Sequence, residues 1–112
     1  MELPNREKAY IPIAKLRNYL LSETHITGKS KSKFFRMLGF NKSNLDLLEK
    51  NLKTIAMNQN VVEVHLSSYG KKYIIDGNLV GPNKNSAKIR TIWIIEKDLD
   101  VPRFVTAYPK RQ

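Results

Sequence analysis

Near residue 61 the apolar residues of this chain stop recurring every three or four positions and begin to alternate. A 3.6-residue period places side chains along one stripe of a helix, whereas a period of two places them on one face of a strand. The chain is therefore expected to fold as helices first and a sheet second. In IPIAKLRNYLLS, Ile13, Leu16, Tyr19 and Leu20 follow helical spacing behind Pro12, which predicts a helix over about 12–22. A loop over 23–29 follows, and Ser30 or Ser32 is placed to cap a short helix carrying Phe34, Phe35 and Leu38, with Gly39 ending it. Ser43 and Asp46 stand at capping spacing ahead of the Leu45, Leu48, Leu52, Ile55, Ala56 stripe, which predicts a third helix over about 43–57.

Beyond residue 61, VVEVHL alternates as a half-buried strand should. Ser67 to Gly70 read as a turn, KKYIID as the return strand, and Asp76-Gly77 as a further turn signal. The stretch 81–87, GPNKNSA, is loop-like, and KIRTIWII after it is apolar enough for a central strand. KDLDVP makes another turn, and RFVTAY forms a last strand that Pro109 stops. The expected fold class is α+β, with about three N-terminal helices on one face of a four-stranded antiparallel sheet and the other face left for a ligand. The whole of 1–112 reads as one domain, helical over 12–58 and sheet over 61–109, with 1–11 a lead-in that is ordered only if it packs on the core.

Twenty Lys and Arg against ten Asp and Glu give a formal charge of +10, a field that attracts polyanions and puts nucleic acid first among expected partners. The chain has no cysteine, which removes disulfides and thiolate metal sites. The N-terminus lacks the apolar run of a signal peptide, and no stretch approaches a membrane span, so a cytoplasmic protein with no membrane association is expected.

Three blocks, HITGKSKSKFFRMLGF, GKKYIIDGNLVGP, and IRTIWII followed by PRFVTAYP, are spread over about 13–109. In this order they resemble a family of bacterial toxin-like domains that stand alone or end larger secreted proteins. That family is similar to the superfamily of metal-independent ribonuclease toxins that includes barnase, EndoU, colicin D and RelE-like toxins. The resemblance implies a RelE- or barnase-like core, RNA as substrate, no cofactor, and an acidic antitoxin or immunity protein as restraining partner.

RNA can be cut without metal because its own 2′-hydroxyl attacks the phosphorus; the protein must move two protons and steady the extra negative charge, leaving a 2′,3′-cyclic phosphate. Histidine suits the proton transfers, and lysine or arginine suits the charge. In the H-x-x-G-x-x-K pattern, the resemblance implies a catalytic role for His25, paired with Gly28 and Lys31 near a helix N-terminus that favours phosphate. Thr106 and Tyr108 lie two apart and are expected to share a face with Phe104; their hydroxyls suit phosphate, and the Tyr108 ring suits a base. Arg90 shares a side with Ile92 and Ile94 and is either an anion clamp or a charge reaching past the core. Lys29 and Lys33 flank Lys31. Lys71 and Lys72 point to opposite faces, and only the sheet register can choose between them. His65 lies opposite the Val62, Val64, Leu66 side and is the second candidate for proton transfer or RNA contact. Trp93 is expected in the core. Glu96, Asp98 and Asp100 alternate, yet they read as a water-facing hairpin connection rather than metal ligands. The competing reading is a noncatalytic RNA- or protein-binding domain on the same scaffold.

Overall fold

The computed structural model describes residues 1–21 and 29–110, with backbone alone at Tyr19, Lys29, Ser30 and Lys31. Helices precede strands as the change of period requires. Helix α1 (Ile13–Lys15) runs on as a π-helical segment (Leu16–Leu20), α2 spans Lys29–Met37 and α3 spans Leu45–Asn58. Strands β1 (Val61–Ser67), β2 (Gly70–Val80), β3 (Ser86–Glu96) and β4 (Arg103–Pro109) follow, in sheet order β1-β2-β3-β4 with each neighbouring pair antiparallel. The architecture is the expected α+β one, three helices packed against an open four-stranded sheet.

One face of the sheet carries Tyr73 and Ile75, Ile89 and Trp93, and Phe104 and Ala107, which join Leu16, Leu20, Phe35, Leu48, Leu52 and Ile55 in a single core. Trp93 sits at its centre, fully buried, edge-on to Phe104 with ring centroids 5.3 Å apart. Its indole Nε1 donates to Thr91 Oγ1 at 2.9 Å, and that hydroxyl donates to the Ile75 carbonyl at 2.7 Å. Both polar groups are thus satisfied where water cannot reach them.

The first eleven residues meet the condition for order: Leu3, Ala9 and Ile11 are buried in the core. Tyr10 bridges Arg103 of β4, with the Tyr10 N–H donating to the Pro102 carbonyl (3.1 Å) and the Phe104 N–H to the Tyr10 carbonyl (3.0 Å).

Several local expectations shift. The first helix closes as a π segment over Leu16–Leu20, after which the Leu21 N–H reaches the Leu16 carbonyl five residues back at 2.9 Å. Helix α2 is already under way at Lys29, and Ser32 lies inside it and buried, so neither Ser30 nor Ser32 is its cap. The cap before α3 is Asn41 rather than Ser43. Asn41 Oδ1 accepts from the Ser43 N–H and Asn44 Oδ1 from the Asn41 N–H, both at 2.8 Å, around a 3-10 turn over Lys42–Asn44. Asp76-Gly77 is not a turn, since β2 runs through it to Val80. Gly77 pairs with Ile89 and faces α3, where a Cβ would stand 2.9 Å from Ile55 Cγ2. The glycine lets α3 lie close on the sheet. Finally, β1 is not half-buried: the residues from Val62 to Ser67 are exposed on both faces, because the helical layer stops short of this edge.

Gly77→Val forces side-chain atoms into the α3 contact and is expected to cost about 1–3 kcal/mol of stability, as overpacked sites do. Urea unfolding measures this; an unchanged midpoint and slope would contradict the close approach.

Candidate functional site

The face turned away from the helices is built in rows by the strand register. His65, Lys72, Ile94 and Arg103 form one row, Glu63, Ile74, Ile92 and Thr106 the next, and Asp76, Arg90 and Tyr108 a third. Thr106 and Tyr108 do not share a face with Phe104 as expected. The β3–β4 register shifts between Ile92 and Trp93, so Phe104 stays with Trp93 under the helices while Thr106 pairs with Ile92 on the open face. The extra residue of a bulge turns the following side chains over. That shift brings Thr106, Tyr108 and Arg90 together.

Arg90 is held by a residue that its sequence context disguises. Its Nε donates to Asp76 Oδ1 at 2.9 Å and its Nη2 to Asp76 Oδ2 at 3.1 Å, a bidentate pair, and Lys110 Nζ lies 2.9 Å from the same Oδ2. The Arg90 hydrogen bond holds the Asp76 carboxyl below its ordinary range; partial burial opposes this and Lys110 reinforces it. The same bond raises the Arg90 guanidinium above its already high range, against its own desolvation and with help from Tyr108. Arg90 therefore carries a built-in counter-ion and is not a lone charge reaching past the core. Asp76 was hidden by the glycine after it, which mimics a turn. Because β2 is continuous, the parity of Asp76 with Lys72 and Ile74 places it on this face. A polar hollow of about 340 Å³ beside it is lined by Gln59, Asp76, Asn78, Lys88 and Lys110.

At the far edge, exposed His65 points its Nε2 at Glu63 Oε2 on the same strand and stands opposite Lys72 of β2. The register thus selects Lys72 for the open face. Lys71, paired with Leu66, faces the other way and lines a separate hollow of about 510 Å³ with Tyr73 and Ile95. A depression of about 460 Å³ joins Lys15, Lys72, Ile94, Arg103 and Val105 on the open side. His65 and Tyr108 lie on opposite edge strands and two rows apart, about 14 Å across the sheet and about 13 Å along it, roughly 20 Å in all at the usual strand dimensions. They do not form one compact cluster. Lys33 is exposed on α2, in the helical layer. His25 lies outside the described residues, as do the side chains of Lys29 and Lys31. Glu96 pairs with Arg103 on the open side, while Asp98 and Asp100 are exposed in the β3–β4 connection. Among the described residues no group of three His, Asp or Glu side chains is placed to hold a metal ion, and no helix is long and apolar enough to cross a membrane.

The chain belongs to DUF6883, a family described as a domain of unknown function, whose profile matches residues 2–111. Its fold is similar to that of a chain in the solved contact-dependent growth inhibition toxin–immunity protein complex from Klebsiella pneumoniae 342. The TM-score is 0.74 and the identity 16%, over 96% of this chain and 97% of that one. Comparison with the curated proteins finds no match.

A folded-state value below that of the free carboxylate, near 3.9, means that Asp76 contributes stability above about pH 4 and loses it as pH falls through the lower folded value. Asp76→Asn is expected to cost on the order of 1–2 kcal/mol at neutral pH, with the gap to wild type closing below about pH 4. Urea unfolding across pH measures it; a gap that does not change with pH would contradict the pairing.

Proposed function

We propose that the chain is a metal-independent endoribonuclease, a toxin that cleaves RNA through 2′-hydroxyl attack and is restrained by an acidic antitoxin or immunity protein. The observation that carries this reading is the sheet face turned away from the described helices. It sets a histidine with a carboxylate partner opposite a lysine, and continues through Ile94, Ile92 and Thr106 to Arg90 and Tyr108. An imidazole braced by a carboxylate suits proton transfer, and the cations along the face suit a phosphate backbone. The half-buried Ile92 and Tyr108 on the same face suit contact with unstacked bases. The likeness to a chain of a toxin–immunity complex supports the toxin and partner roles, and the family-like motif at His25, Gly28 and Lys31 supplies a second imidazole for the paired proton transfers.

In this reading His25 and His65 are the candidates for base and acid. Lys31 and Lys72 steady the phosphorane, Arg90 with Tyr108 and Thr106 holds a neighbouring phosphate, and Lys29, Lys33 and Lys71 add long-range attraction. One observation favours the noncatalytic alternative, an RNA- or protein-binding domain: Arg90 and Lys110 already share Asp76, and His65 stands a sheet's width from Tyr108.

Labelled RNA incubated with the protein in EDTA is expected to yield fragments ending in 2′,3′-cyclic phosphate. His25→Ala, Lys31→Ala and His65→Ala separate the roles. Loss of a proton-transfer group is expected to slow cleavage by about 10²–10⁴-fold with little change in melting temperature. If His25→Ala and Lys31→Ala both keep full activity, the site moves to His65 and Lys72. RNA that is bound and never cut favours the noncatalytic reading.

A further inference from the structure

The two edges of the sheet are treated differently. The β4 edge is guarded: residues around Tyr10 lie along its start, and Pro109 lacks a donor at its end. On the β1 edge the Val61 N–H is taken by the Met1 carbonyl at 2.7 Å, and among the described residues no strand pairs with the outer side of residues 62–66. This stretch, VEVHL, carries neither the lysine nor the proline that usually blunts such an edge. Its apolar side chains are open to water, with Val62 54%, Val64 39% and Leu66 76% exposed.

The order of these five residues specifies what could cover them. In an antiparallel pair centred on Val64, the strand is complementary to itself. Val64 meets Val64 of the second copy and Glu63 meets its His65, while Val62, the bulged residue, ends the pairing beside its Leu66. Apolar residues meet apolar ones on one face and acid meets base on the other, the pairings that stabilise adjacent strands. A strand rich in carboxylates, as an acidic partner would offer, sets like charges against Glu63. The cations do not forbid self-pairing. Lys71 and Lys72 sit on β2, so those of two copies are separated by three strand spacings, about 14 Å, beyond the roughly 8 Å screening length at physiological salt.

We infer that β1 is a self-association edge, through which two copies of this chain pair antiparallel about a two-fold axis at Val64 and join their sheets into one of eight strands. The pairing is isologous and therefore closes at two copies. Val62 is the extra residue of the bulge between Val61 and Glu63, so the regular seam is limited to residues 63–65 and their flanks, which makes the dimer concentration-dependent rather than permanent.

Sedimentation of the whole chain over a wide concentration range tests this, independently of any nuclease activity. The mass is expected to rise from the 13.0 kDa monomer towards twice that value. Glu63→Lys and Val64→Lys, both on an exposed strand, are expected to weaken association by roughly tenfold or more without lowering the melting temperature. The double swap Glu63→His with His65→Glu keeps an acid opposite a base and is expected to restore it. A wild type that stays monomeric at its highest concentration overturns the inference, whatever partner of other chemistry then binds β1. So does a dimer indifferent to the single substitutions, and so does a double swap as weak as Glu63→Lys.

Discussion

A strand sends successive side chains to opposite faces, and in β3 that alternation puts Ile89, Thr91 and Trp93 under the helices while Arg90, Ile92 and Ile94 face away. The covered set fixes the register, because a slip of one residue would expose the indole and bury a guanidinium. The Trp93, Thr91 and Ile75 hydrogen-bond chain locks it further by pairing the buried indole N–H and the Thr91 hydroxyl. Gly77 then lets α3 settle onto the sheet, which leaves the other face turned away from the described helices. Which side chains reach the other face is thus a consequence of how the core is packed.

Charge on that surface is arranged in partnered groups rather than as a uniform positive field. Asp76 holds Arg90 and Lys110, Glu96 holds Arg103, and Glu63 holds His65. Such pairs position Arg90, Lys110 and Arg103 in advance, so that less side-chain entropy is lost when an anion arrives. They also set a threshold: a phosphate approaching Arg90 competes with a carboxylate already held by two cations. Under the proposed nuclease function, that competition favours a substrate that contacts several cations at once over a small anion that contacts one.

The change of period at residue 61 made the order of helices and strands legible, and the alternation in KIRTIWII marked Trp93 as core. What the residues concealed has specific physical causes. Asp76 was masked because a glycine required by helix packing looks the same in sequence as a glycine required by a turn. The face of Thr106 and Tyr108 depended on a bulge, which adds one residue without altering composition. The choice between Lys71 and Lys72 needed the register of β2, a non-local property. The exposure of Val62, Val64 and Leu66 depended on how far the helical layer reaches, which no alternation within the strand can reveal.

The central claim is that RNA engages the face turned away from the helices. Isoleucine methyl groups report on this directly, since Ile74, Ile92 and Ile94 lie on that face and Ile55, Ile75 and Ile89 lie in the core beneath the other. Methyl NMR spectra recorded while a short RNA with its 2′-hydroxyls blocked is added are expected to shift the first three and spare the second. Shifts confined to Ile55, Ile75 and Ile89, or no shifts at saturating RNA, would contradict the account.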